Sequence, residues 1–180
     1  MLGGFYPFMR NHNADTSISQ EFYRWPVTAQ AAKNVLDIWY RLMEYFYTTF
    51  HPASLNGSPI LQALWYKYPK DTSTYSSFVE MPVHIVGGFT LPLHVNGAMT
   101  TKEVRRDDFR IVVAPNAGGN AAGRLYVDDG VSLEQANGTT ALTFDDQDGA
   151  LSMNGTFGYN LGVNVASVKI LDVDQSPKSV

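Results

Sequence analysis

Residues 26–50 read PVTAQAAKNVLDIWYRLMEYFYTTF. Pro26 suits the first turn of a helix, where a missing N–H is tolerated. Ala31, Val35, Trp39, Leu42, Phe46 and Phe50 then recur at spacings of three and four, making one apolar stripe. Lys33, Asp37 and Arg41 follow one another at four-residue steps on another face, where opposite charges support each other weakly. The pattern predicts one helix over 27–50, about 36 Å long. A stripe this bulky fits core packing better than a partner-binding or membrane-surface role.

Both flanks of that helix read as strands. Before it, GGFYPFMRNHN (residues 3–13) gives a short apolar run at 3–9, its pairing limited by Pro7. After it comes the turn Asn56-Gly57-Ser58-Pro59, and then ILQALWYKY at residues 60–68, short and closed by Pro69. Strand, helix and strand, with both strands apolar, point to a parallel βαβ unit. From about Met81 onward the text changes to short β-like runs separated by Gly, Asn and Asp. Examples are DFRIVVAP, GRLYVDD, TALTFDD and VNVASVKILDV. Turn signals every 8–12 residues predict an antiparallel β-sandwich, with Asp145 to Gly149 as one turn and a frayed tail from Asp174. The expected class is α+β.

Composition narrows function. The 180 residues carry a net charge of −4, so nothing favours nucleic acid or an anionic membrane surface. No apolar run reaches the length of a membrane span. Zero cysteine and four scattered histidines argue against a Cys/His zinc site, and no metal or cofactor is expected. Met1-Leu2-Gly3-Gly4 has no basic leader, so no signal peptide is expected in this chain. Asn56, Asn137 and Asn154 each head an Asn-Gly-Ser/Thr sequon, which is also ordinary turn chemistry.

Candidate chemistry is sparse. Arg10 and His12 close the first apolar run, where a strand end could deliver a histidine to a ligand, or where both could be structural. Asp37 and Glu44 are expected to be solvated on the helix. Asp128-Asp129-Gly130 and the 145–148 acids lack EF-hand spacing and read as turn aspartates. Nucleophile-elbow, P-loop and dinucleotide motifs are absent. No catalytic pair emerges.

The chain nevertheless resembles glycoside hydrolase family 31, in particular its α-glucosidases. GGFYPFMRNHN, EFYRWPVTAQAAKNVLDIWYRLMEYFYTTFH and GSPILQALWYKYPKD are similar to the late part of that family's (β/α)8 barrel. MPVHIVGGFTLPLHV, RLYVDDGVSL and GTFGYNLGVNVASVKILDV are similar to its two C-terminal β-domains. The resemblance implies 1–75 as the barrel's end, 76–105 as a remnant of the proximal β-domain and 106–180 as the distal β-sandwich. It implies His12 as a residue lining the subsite of the cleaved sugar, with Arg10 a buried support for the loop. It also implies an extracellular or secretory setting, an α-glucoside substrate, and a barrel domain as the partner this chain lacks. The family's nucleophile and acid/base motifs, W-x-D-M-N-E and G-D-N, do not occur here. About fifty residues expected between YPKD and PVHI are also missing, and Val86 stands where an arginine usually follows PVHI. The expectation is therefore a C-terminal fragment with an internal deletion, inactive alone. The alternative is a non-catalytic β-sandwich that binds carbohydrate or packs on a partner.

Overall fold

The computed structural model describes residues 2–62, 68–70, 84–135 and 137–173. The chain is α+β: a helical N-terminal part followed by one six-stranded sheet.

Pro26 begins a helix as its fixed φ allows, but the 27–50 segment is two helices. Helix α1 runs Pro26–Arg41 and α2 runs Met43–Asn56. The joint is Leu42, at φ −86° and ψ 2°, outside helical geometry, with its N–H shared between the Ile38 and Trp39 carbonyls. Apolar periodicity is blind to such a joint, because the stripe keeps its spacing through Leu42. Val35 and Phe46 are the buried members of the stripe, Ala32 beside it is buried too, and Trp39 stacks on Phe46 at 5.8 Å. Helix α2 ends at Gly57, whose φ of 73° is the left-handed cap that stops many helices.

The first predicted strand is absent. Leu2–Phe5 form a 3₁₀ turn instead, closed by the Tyr6 amide on the Gly3 carbonyl at 3.1 Å. A strand satisfies its backbone only through a neighbour, and among the described residues no strand precedes Phe89. Ile60–Gln62 are likewise irregular, while 63–67 of the predicted second strand lie outside the described residues. So do Asp71, residues 76–83 and the tail from Asp174.

The β region is one mixed sheet, where an antiparallel sandwich was expected. Strands β1 (Phe89–His94), β2 (Phe109–Ala114), β3 (Ala121–Val127), β4 (Thr140–Gln147), β5 (Ala150–Phe157) and β6 (Val165–Ile170) lie in the order β5-β4-β3-β1-β2-β6. The hairpin-type neighbours β1–β2, β3–β4 and β4–β5 are antiparallel; β1–β3 and β2–β6 are parallel. The turn between β4 and β5 is tighter than expected. It is Asp148-Gly149, both at positive φ (52° and 79°), as a two-residue hairpin demands, and Asp145–Gln147 belong to β4.

The core lies on one face of this sheet. Phe109, Ile111 and Val113 of β2 share it with Ala121, Leu125 and Val127 of β3 and with Leu142 and Phe144 of β4. Strands β2 and β4 are three places apart in the order, about 14 Å at ordinary strand spacing, so one cluster spanning both requires the sheet to curl. Tyr159, Leu161, Val163 and Ile170 close the curl. Strands β1 and β3 approach so closely that a Cβ on Gly123 would lie 2.0 Å from the Thr90 carbonyl oxygen.

The helices dock where β3 diverges from β1. The parallel register of those two strands is the single pair Phe89–Ala122. Farther along β3, the Tyr126 N–H donates to Thr48 Oγ of α2 at 3.0 Å. His51 stacks on the Tyr126 ring with centroids 3.9 Å apart, and Tyr47 packs against the same ring at 6.2 Å. Helix α2 thus takes the place of a further strand beside the end of β3. A single helical turn, α3 (Thr101–Val104), follows β1. Thr100 Oγ accepts from the Glu103 amide while Glu103 Oε2 accepts from the Met99 amide, a reciprocal cap.

Candidate functional site

The RNH cluster sits in a laced polar loop. Asn11 Nδ2 donates to the Gln20 carbonyl at 2.8 Å, Asn13 Nδ2 donates to the Ile18 carbonyl at 2.6 Å, and Gln20 Nε2 donates to the His12 carbonyl. Asparagine and glutamine amides supply here the bonds that a strand ladder would otherwise give. The His12 side chain is exposed, over a shallow cavity of about 320 Å³ that also reaches Asn13, Asp15 and Gln20. Arg10 is exposed as well, so it is not the buried support that was expected. It borders an adjoining apolar cleft of about 650 Å³ with Tyr6, Phe8, Phe22 and Val35. The loop is self-supporting and presents an unencumbered imidazole, which suits donation or acceptance of a ligand hydroxyl.

A second cluster, which sequence reasoning missed, lies between α2, the end of α3 and the loop after β3. Glu44 was expected to be solvated; it is 1% exposed. Arg105 Nη1 lies 3.5 Å from Glu44 Oε1, and Nη2 donates to the Asp128 carbonyl. Tyr47 donates its phenolic proton to Asp128 Oδ1 at 2.7 Å, and the Gly130 amide donates to the same oxygen at 2.8 Å. The Arg105 guanidinium also stands over the Tyr47 ring at 5.9 Å. Burial pushes Glu44 up to about 7; Arg105 pulls the other way, and Asp128 adds to the rise. Burial raises the Tyr47 phenol, and its bond to Asp128 raises it further. The sequence does hold one signal. Glu44 is the sole charged residue in the aromatic run from Leu42 to Phe50. Its partner lies 61 residues downstream, so no local pattern joins them.

The remaining acids behave mostly as turn and surface groups. Asp129 accepts from the Ser132 hydroxyl and amide, the Val131 amide and Asn137 Nδ2, which hold its carboxyl well below the usual range. Asp37 pairs with Arg41 at 2.9 Å on the surface. Asp146 departs from the turn reading: it is fully buried in β4, neither carboxyl oxygen has a hydrogen-bond partner among the described residues, and burial raises it. Among the described residues no group of three His, Cys, Asp or Glu side chains is arranged to hold a metal ion, and no helix is long and apolar enough to cross a membrane. Asn56 and Asn154 are exposed. Asn137 is exposed too, but its amide is engaged by Asp129.

Comparison with known proteins follows this division. Residues 1–49, which hold the His12 loop, α1 and the start of α2, match the TIM-barrel domain of glycosyl hydrolases family 31. The whole chain is similar to fungal proteins. It is 35% identical over 94% of its length to "Probable alpha/beta-glucosidase agdC" of Neosartorya fischeri, and 30% identical over 99% to an alpha-glucosidase of Schizosaccharomyces pombe. The fold is similar to part of the glucosidase II alpha subunit (TM-score 0.75, 21% identity, 94% of this chain and 26% of that one). It is also similar to part of a family 31 alpha-glucosidase from Bacteroides thetaiotaomicron (TM-score 0.68, 24% identity, 87% of this chain and 32% of that one).

These similarities are to proteins named as glucosidases. By this match and these relatives the chain is similar to members of glycoside hydrolase family 31. It spans about a quarter of the length of the curated relatives it matches. The Neosartorya alignment runs over 224 positions, whereas 94% of 180 residues is about 169, so about 55 positions of the relative face no residue here. A deletion of about fifty residues was expected from the motifs.

Proposed function

We propose that this chain is the C-terminal part of a retaining α-glucosidase. In this reading, 1–75 ends the catalytic barrel, 76–105 is what remains of the proximal β-domain, and 106–180 is the distal β-domain. The observation that carries the reading is continuity: a relative named as an alpha-glucosidase matches 99% of the chain, across both the barrel-type segment and the sheet. In the intact enzyme, two aspartates from the rest of the barrel cleave the bond. One attacks the anomeric carbon while the other protonates the leaving oxygen, and water then releases the glycosyl-enzyme. His12, exposed on its braced loop, holds hydroxyls of the terminal glucose and tightens on them as the ring distorts. The same reading assigns the protein to the secretory pathway, where the exposed Asn56 and Asn154 suit glycan attachment better than Asn137 does.

The test is hydrolysis of maltose and p-nitrophenyl α-glucoside by the 180-residue chain, alone and after mixing with a separately made upstream barrel. No turnover alone is expected, with turnover restored by the barrel and lost again on His12→Ala. Turnover by the chain alone that disappears on His12→Ala would overturn the assignment of the carboxylates to the rest of the enzyme.

A further inference from the structure

A cleft of about 630 Å³ lies over the Glu44–Arg105 pair, between α2, α3 and the loop after β3. It is distinct from the His12 loop and has no part in the hydrolysis proposed above. Glu44 lines it from below, and Glu44 Oε2 is buried with no hydrogen-bond partner among the described residues. A buried carboxylate oxygen left unbonded is costly, so a donor reaching it from the cleft is stabilising. Lys102, Arg105 and Arg106 border the same space and offer only donors. Tyr47 and Tyr159 complete the wall.

The charges restrict what fits. A cation meets three basic side chains. An anion meets Glu44 at the floor and Asp129 at the rim. A neutral molecule rich in hydroxyls escapes both repulsions, donating a hydrogen bond to Glu44 Oε2 and accepting hydrogen bonds from Lys102 and Arg106. The volume lies within the range of small-molecule sites. We propose that this cleft is a binding site for a neutral polyhydroxylated ligand such as a mono- or disaccharide, separate from the hydrolytic site.

The probe is maltose, titrated to about 50 mM into the full 180-residue chain and followed by amide NMR shifts. Shifts confined to residues 43–47, 101–106, 129–131 and 159–161, with a Kd of about 1–10 mM, are expected. Lys102→Ala/Arg106→Ala removes two exposed donors that the fold does not use. It should weaken binding by at least about fivefold, the loss of one ordinary hydrogen bond, with the unligated spectrum otherwise unchanged. No shifts at that concentration, shifts at the His12 loop only, or equal displacement by inorganic phosphate would each overturn the proposal. The readout is binding, so the result stands whether or not the chain takes part in hydrolysis.

Discussion

Replacing Glu44 by glutamine keeps the side chain's shape and removes its proton equilibrium. The carboxyl rises from an ordinary 4.5 to about 7 because desolvation outweighs the pairing with Arg105. At about 1.4 kcal/mol per pH unit, that rise is worth about 3 kcal/mol. The sign follows from proton binding. Below pH 4.5 both folded and unfolded chains hold the proton. Between 4.5 and about 7 the unfolded chain releases it while the folded one retains it, so stability falls as pH rises. Above 7 the loss is complete. Glutamine resembles the protonated form at every pH. Glu44→Gln should therefore match the parent at pH 4 and exceed it by about 3 kcal/mol at pH 8. Urea unfolding followed by tryptophan fluorescence from pH 4 to 8 measures the difference curve, in which other titrating groups cancel. A variant less stable than its parent at pH 8 would mean that the Arg105 pair outweighs the cost of burying the charge.

Three further substitutions probe the same architecture. Arg105→Met leaves Glu44 without its counter-charge and the Asp128 main-chain carbonyl without its Arg105 donor, so it should cost about 3–5 kcal/mol at pH 8 and clearly less at pH 5, where Glu44 carries its proton; an equal loss at both values in urea melts would refute the pairing. Gly123→Ala drives a methyl into the Thr90 carbonyl and should cost about 3 kcal/mol, whereas Gly149→Ala, in the open β4–β5 turn, should cost about 1 kcal/mol; thermal unfolding that ranks the two the other way would sink the close β1–β3 approach.

The sequence shows what depends on neighbours a few residues away. The three-and-four spacing located the helical segment, and alternating runs located most strands from Phe89 on, because each pattern reports a local period. Partners chosen at a distance left no local trace. The β2–β6 ladder joins 109–113 to 165–170, and nothing in either run says parallel. The 3–9 run has the residues of a strand, but whether it becomes one depends on a neighbouring strand to complete its hydrogen bonds. His12, which the motif singles out as a candidate, lies exposed on a braced loop. Glu44 was read as a surface residue because its burial is imposed by Arg105 and Asp128, which arrive from another part of the chain.

The strand order has a consequence for synthesis. β1 is the first of the six strands to be made and lies near the middle of the sheet, with β3 on one side and β2 on the other. On the ribosome, β1 and β2 can pair as soon as Ala114 emerges, but the far side of β2 stays open until Ile170 has been translated. The nascent chain thus carries an unpaired row of N–H and C=O groups beside the apolar Ile111 and Val113 for nearly sixty residues of elongation, about 3–12 s at ordinary rates. During that interval the newborn chain offers a chaperone, or a second nascent copy, a ready strand-pairing edge.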